Sequence, residues 1–96
     1  MPAYWIVRVE VTDAEQFAEY TKRTPAYFAS YGARYLVRGG RTAALEGPPE
    51  SRRIVVIEFP SLEIAEACYR SPEYREIREL RAGAAVVEII VVEGVA

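Results

Sequence analysis

The stretch Arg52–Ser61, RRIVVIEFPS, constrains this chain more than any other. Ile54, Val55, Val56, Ile57 and Phe59 form an apolar run rich in β-branched residues, closed by a proline and a helix-capping serine. A strand with apolar side chains on both faces leaves neither side for open water, so it belongs at the centre of a sheet with both faces covered. Glu58 is the only carboxylate inside the run.

The other elements can be laid around that strand. Tyr4–Val11 alternates, with Trp5, Val7, Val9 and Val11 on one face and Tyr4, Ile6, Arg8 and Glu10 on the other, which predicts a first strand. Thr12-Asp13 offers an N-cap, with Gln16 placed as in a capping box, ahead of Phe17, Tyr20, Thr24, Tyr27 or Phe28, and Tyr31 at helical spacing. This helix is expected to reach about Tyr31 and close at Gly32, with a kink or break near Thr24 because Pro25 lacks an amide hydrogen. Ala33–Arg38 reads as a short second strand with Tyr35 and Val37 opposed to Arg34, Leu36 and Arg38. Gly39-Gly40 ends it, and Arg41–Glu46 forms a short strand or an irregular excursion before the turn Gly47-Pro48-Pro49. After the central strand, Ser61 caps a helix that Ser71-Pro72-Glu73 restarts. Gly83 ends the helical region, and Ala85–Val92 is a last strand, apolar on both faces apart from Glu88.

The order β-α-β-β-α-β predicts an α+β ferredoxin-like fold, an antiparallel sheet with both helices on one face. Parity puts Trp5, Val7, Tyr35, Val37, Val55, Ile57, Val87 and Ile89 under the helices. The other face collects Ile6, Arg8, Glu10, Leu36, Arg38, Ile54, Val56, Glu58, Glu88, Ile90 and Val92. That face is too apolar to stand bare, so the expected cover is a second copy packed sheet against sheet, a barrel-like homodimer. Arginines and glutamates on such a buried face need partners.

Composition narrows function by exclusion. Ninety-six residues make one domain, 1–96, near the lower end of sizes that sustain a core unaided, so association would help it. There is no histidine, which removes the commonest general base and metal ligand, and a frequent haem ligand. Chemistry is left to carboxylates, tyrosines and arginines, and no metal or cofactor is expected. Cys68 is the only cysteine, so no internal disulfide can form, and it is expected to pack as a small apolar residue. The net charge of −2, with cations dispersed along the chain, argues against nucleic acid as a partner. No run approaches the roughly 20 apolar residues of a membrane span and no secretory signal pattern follows Met1, so a cytoplasmic protein without membrane association is expected.

Five segments together resemble the family known as domain of unknown function 1330, within the dimeric α+β barrels: YWIVRVEVTD, YLVRGGRTAALEG, RRIVVIEFPS, SPEYREIRELR and the closing VVEG. The resemblance spans nearly the whole chain and implies the same fold and dimer. The positions that match the family pattern are Arg38, Gly39, Gly40, Glu46, Gly47, Arg53, Glu58, Phe59, Pro60, Ser71, Tyr74 and Arg81. Cys68 and Tyr31 depart from it, standing where the family pattern carries a large aromatic and a histidine. Related barrels include cofactor-free monooxygenases, lactone isomerases and haem-dependent enzymes, a link at fold level that does not transfer an activity.

Arg8 and Glu58 fall by parity on one sheet face and on neighbouring strands, which makes them a candidate catalytic pair, with a structural ion pair at the dimer face as the plainer reading. Arg38-Gly39-Gly40 could present guanidinium and backbone amides to an anion, or simply end a strand with positive φ. Tyr20 and Tyr74, with Tyr27 and Tyr69, could line an aromatic pocket, and Arg78 and Arg81 could stand at its mouth. The expectation is a homodimer that binds a small aromatic or anionic organic molecule between sheet and helices. In a catalytic version it is a cofactor-independent enzyme in which Glu58 moves a proton, arginine holds an enolate or carboxylate and tyrosine orients the ring. The alternative is a non-catalytic structural or interaction module whose second sheet face serves only dimerisation.

Overall fold

The computed structural model describes residues 1–95, and Ala96, the last residue of the expected 1–96 domain, lies outside the described residues. The elements run β1 (Ala3–Val11), α1 (Ala14–Ala29), β2 (Arg34–Arg38), β3 (Arg53–Phe59), α2 (Leu62–Arg70), α3 (Pro72–Glu79) and β4 (Ala85–Glu93). All strand pairs are antiparallel, in the order β2-β3-β1-β4, which sets the apolar β3 beside β1 in the interior of the sheet. This is the ferredoxin-like α+β fold expected. Residues 39–52 form an irregular excursion with no strand in it.

Asp13 caps α1 as its sequence suggests, its Oδ1 accepting from the Gln16 amide at 3.1 Å. Gln16 does not complete the capping box. Its side-chain amide donates instead to the carbonyls of Leu80 (3.2 Å) and Ala82 (2.7 Å) and so ties the start of α1 to the turn after α3. Pro25 does not break α1, which runs as one helix from Ala14 to Ala29. The Thr21 carbonyl that an amide at position 25 would have engaged receives the Thr24 hydroxyl at 3.5 Å instead, which softens the cost of the missing donor.

The second helical region is two helices hinged at Ser71, whose Oγ accepts from the Tyr74 amide (3.1 Å) and donates to the Cys68 carbonyl (3.0 Å). It is therefore both the cap of α3 and the terminator of α2.

The core lies on the helix side of the sheet and centres on Trp5. Its ring packs against Phe59 (5.0 Å), Phe28 (5.2 Å), Tyr74 (5.7 Å) and Tyr69 (5.9 Å) between centroids, and its indole N–H donates to the Ala65 carbonyl at 3.2 Å. Each such aromatic pair contributes about 0.5–1.5 kcal/mol beyond the area it buries. Cys68 is fully buried beneath α2, as expected, and burial pushes its thiol up to about 12.

Parity fails at one place. A bulge between Tyr35 and Val37 leaves Tyr35 opposite Ile57 but sets Val37 opposite Val56 and Arg38 opposite Val55. The two residues therefore exchange faces relative to the alternation of the sequence: Val37 joins the far face and Arg38 comes under the helices. The far face is apolar and open, with Ile90 59% and Val92 48% exposed.

Candidate functional site

A cavity of about 50 Å³ opens between α1 and the helix-covered face of the sheet. Val7, Val9, Val55 and Val87 form its floor, Phe17, Tyr20, Thr24 and Phe28 of α1 its roof, and Arg38, Arg53 and Arg81 complete its lining. Beyond Trp5 and Arg81, which line both spaces, a larger chamber of about 320 Å³ extends under α2, bounded by Ala65, Glu66, Tyr69 and Arg70. The first cavity has room for a water or two, at about 30 Å³ each, whereas the second reaches the lower end of ordinary ligand pockets, about 300 Å³.

Each arginine arrives there for a different structural reason. The bulge in β2 turns Arg38 inward, where its Cζ lies 4.4 Å from the centre of the Tyr35 ring. Arg53 sits opposite Val9 at the start of β3, and its guanidinium lies along the backbone of Gly39. Gly39 has φ +75°, which favours glycine, and a Cβ there would come 2.6 Å from Arg53 Nε and push that flexible side chain aside. Arg81 occupies the turn after α3, whose carbonyls on either side of it are held by Gln16.

None of the three arginines is in an ion pair among the described residues, and no Asp or Glu lines the first cavity. Arg81 Nε is buried with no hydrogen-bond partner, and its Cζ stands 5.1 Å from the centre of the Tyr20 ring. Arg38 and Arg53 are exposed at the rim of the cavity and Arg81 is half-buried, so the three guanidinium groups give its mouth a cationic rim, with the acidic Glu66 lining the adjoining chamber.

The remaining polar groups are hydroxyls. Tyr20 and Tyr74 bond to each other at 2.5 Å, and Thr24 and Tyr35 at 3.2 Å. Burial, and then the neighbouring Tyr74, pushes the Tyr20 phenol well above its ordinary range, and burial raises Tyr74 likewise. These groups stay protonated near neutral pH, and such a site can hold an anion or orient a ring but offers no carboxylate or imidazole as proton acceptor.

The expected Arg8–Glu58 pair does not form. Both residues are on the far face, as parity requires, but Glu58 lies opposite Tyr4 and Arg8 opposite Ile54, four residues along β1, or about 13 Å at strand rise. Glu58 accepts from Arg34 Nε at 2.8 Å. Arg8 Nε instead donates to Glu50 at 3.3 Å. Glu50 also accepts from Arg52 through its backbone amide (3.1 Å), Nε (2.9 Å) and Nη2 (3.1 Å), and Arg52 reaches Glu88 as well. Hydrogen bonds from Arg52 hold the Glu50 carboxyl at about 2. Arg8 and Glu58 lie on the opposite face of the sheet from the cavity, and neither lines it.

Two further expectations change. The Gly39 amide donates to the Ile54 carbonyl at 2.9 Å and is not free for an anion, and Gly40 faces open space. Arg78 engages Tyr69, with its Cζ 4.9 Å from the ring centre and Nη1 donating to the hydroxyl, so Arg81 alone of that pair faces the cavity. Arg53 and Gln16 were not singled out as site residues by sequence reasoning; only the match of Arg53 to the family pattern hinted at the first, and nothing at the second.

The model of a family described as a domain of unknown function, DUF1330, matches residues 2–95. No curated protein matches the chain. Among solved structures, a protein of unknown function from Rhodopseudomonas palustris has a TM-score of 0.77 at 24% identity, over 99% of this chain and 83% of that one. SnoaB, a cofactor-independent oxygenase from Streptomyces nogalater, has a TM-score of 0.69 at 12% identity, over 99% and 94% of the two chains. A dimeric protein of unknown function with a ferredoxin-like fold from Bacteroides fragilis has a TM-score of 0.62 at 16% identity, over 97% and 96%. At these identities the likeness is one of fold. No helix among the described residues is long and apolar enough to cross a membrane.

Proposed function

The chain belongs to the DUF1330 family, and from that premise we propose that it is a homodimeric, single-domain protein that binds a small organic anion with an aromatic or apolar body in the cleft between sheet and helices. The observation that carries this reading is the convergence of Arg38, Arg53 and Arg81, all without acidic partners, on a cavity whose floor is valine and whose roof is largely aromatic. An anion would give these guanidinium groups charge-assisted hydrogen-bond partners, and a flat apolar body would pack against the valines and aromatic rings of the lining. In a catalytic version, Arg81 and the phenol of Tyr20 would hold a carboxylate or enolate, and Tyr74 would fix Tyr20 in place. SnoaB has this fold and is a cofactor-independent oxygenase, which is compatible with such a use of the cleft.

The second copy covers the far face. Ile90 and Val92 stand exposed there beside Ile6, Ile54 and Val56, an area a lone sheet would not leave wet, and the Bacteroides fragilis neighbour is dimeric. Arg8, Arg34 and Glu58 belong to that interface in this reading. The non-catalytic alternative keeps the dimer and leaves the cleft without a ligand.

Trp5 is the only tryptophan and lines both spaces, so its fluorescence reports occupancy directly. Titration with benzoate, salicylate and naphthoate should give a saturable change that the corresponding neutral methyl esters do not. A flat response to every acid would leave only the structural module.

A further inference from the structure

The cations of the cleft stand at two poles, and the distance between the poles specifies the ligand further than charge alone. Arg53, on β3, lies in one cross-strand row with Val9 of β1 and Val87 of β4. Arg38, on β2, lies in the next row, opposite Val55, which pairs with Val7, itself opposite Ile89. Both sit at the β2–β3 end of the sheet. Arg81 closes the cavity at the other end, against Val87 and Ile89 of β4.

Strands repeat every 4.7–4.9 Å or so, which places β3 about 10 Å and β2 about 14 Å from β4. Between the poles the floor offers valine, isoleucine and Trp5, and no charged group. Arg38 and Arg53 are exposed at the rim and Arg81 is half-buried, so a monoanion at one pole leaves the donors of the other to solvent. We propose that the ligand of this cleft is an organic dianion, an apolar or aromatic body with an acidic group at each end, one received by Arg38 and Arg53 and the other by Arg81. This rests on the reading of the cleft as an anion site. Because the guanidinium groups reach inward from their strands, the acidic carbons lie roughly 6–10 Å apart.

The volume sets how such a molecule enters. The 50 Å³ cavity does not hold it, but Arg81 is shared with the 320 Å³ chamber, so withdrawing that side chain towards the chamber joins the two spaces. Its buried Nε has no hydrogen-bond partner, so the move gives up only the contacts of the guanidinium with the Tyr20 and Tyr74 phenols. A carboxylate then meets Arg81 as a two-point partner.

The test is a set of Trp5 fluorescence titrations at fixed ionic strength. The probes are the straight-chain diacids from succinate to sebacate, terephthalate, and a naphthalene dicarboxylate, each beside its half-methyl ester. The expected result is a length optimum between adipate and sebacate and at least a tenfold advantage of the best diacid over its half-ester. Arg81→Gln and the double variant Arg38→Gln/Arg53→Gln should each abolish that advantage while still binding the half-ester. Circular dichroism and the urea midpoint confirm that the variants are folded. Diacids and half-esters of equal affinity would overturn the dianion while leaving the single-anion site standing. No saturable binding by either would overturn both.

Discussion

The hydroxyls of Tyr20 and Tyr74 meet at 2.5 Å, and they are carried by α1 and α3, elements otherwise joined at this end mainly through Gln16. Tyr74 is fully buried, so Tyr74→Phe leaves the Tyr20 hydroxyl without its partner in a desolvated place, and a loss of about 1–3 kcal/mol is expected in urea unfolding. Adding Tyr20→Phe should recover part of it, because removing both polar groups leaves none unsatisfied. Both phenols are raised by burial, so the folded state holds their protons more tightly than the unfolded state. Their contribution is fully present below about pH 10 and is lost as pH rises beyond it, and the double variant should show a shallower alkaline decline.

Arg81→Met separates stability from binding. The guanidinium has a buried, unpartnered nitrogen and no acidic neighbour in an ion pair, so replacing it with an apolar chain of similar length is expected to leave stability unchanged or raise it by about 1 kcal/mol. In the same variant the saturable Trp5 response to aromatic monoacids should persist through Arg38 and Arg53, weakened, while the advantage of a diacid over its half-ester is lost. A large loss of stability would show that Arg81 is a structural residue.

The position of Gly39 predicts an asymmetry between two adjacent glycines. Gly39→Ala must adopt φ +75° and drive its Cβ to 2.6 Å from Arg53 Nε, while a Cβ at Gly40 meets nothing within 4 Å. Gly39→Ala should cost about 1–2 kcal/mol and weaken acid binding by displacing Arg53, and Gly40→Ala should do neither. Thermal unfolding and the Trp5 titration on both variants check this.

How much of this was legible follows from what each residue depends on. The fold was readable because β3 is apolar on both faces and β1 alternates, and both patterns depend only on neighbours in sequence. The site was half readable. Tyr20 and Tyr74 sit where helical spacing puts them, but the inward turn of Arg38 comes from an extra residue in β2, and no glycine or proline in Arg34–Arg38 announces that bulge. Arg8 and Glu58 share a face because parity is local, yet they miss each other by four residues because register is set by the distant pairing of whole strands. Glu50 escaped notice because its importance comes from Arg8 and Arg52 folding around it, and a glutamate after two prolines looks like a solvated turn.

Glu50 sets the acid limit of the segment that links β2 and β3. Its carboxyl is held at about 2 against an ordinary 4.5, chiefly by Arg52, so the folded state binds its proton less readily than the unfolded state. The stabilisation is fully present above about pH 4.5 and disappears as pH falls towards 2. Glu50→Gln should lower the urea midpoint at pH 7 and flatten its dependence between those two values, with Arg52→Gln behaving alike. An unchanged acid slope would mean that the ion pairs of Arg8, Glu50 and Arg52 are not maintained in solution.

The far face is tested by a charge placed at an exposed apolar position near its middle. Ile90, opposite Ile6 on β4, is 59% exposed in one copy and would be covered when a second sheet packs on it. Ile90→Glu then buries two carboxylates in a two-fold interface, a cost of several kcal/mol that the mutation does not impose on a separate chain. Native mass spectrometry and sedimentation should show a dimer for the natural chain and a folded monomer for Ile90→Glu. Glu58→Gln removes the acceptor of Arg34 on the same face, and should shift the dimer dissociation constant by about tenfold or less while leaving acid binding in the cleft untouched. Loss of acid binding in Glu58→Gln with the dimer intact would restore Glu58 to the site and count against the cleft. A natural chain that sediments as a monomer would require some other cover for Ile90 and Val92, and would remove the barrel.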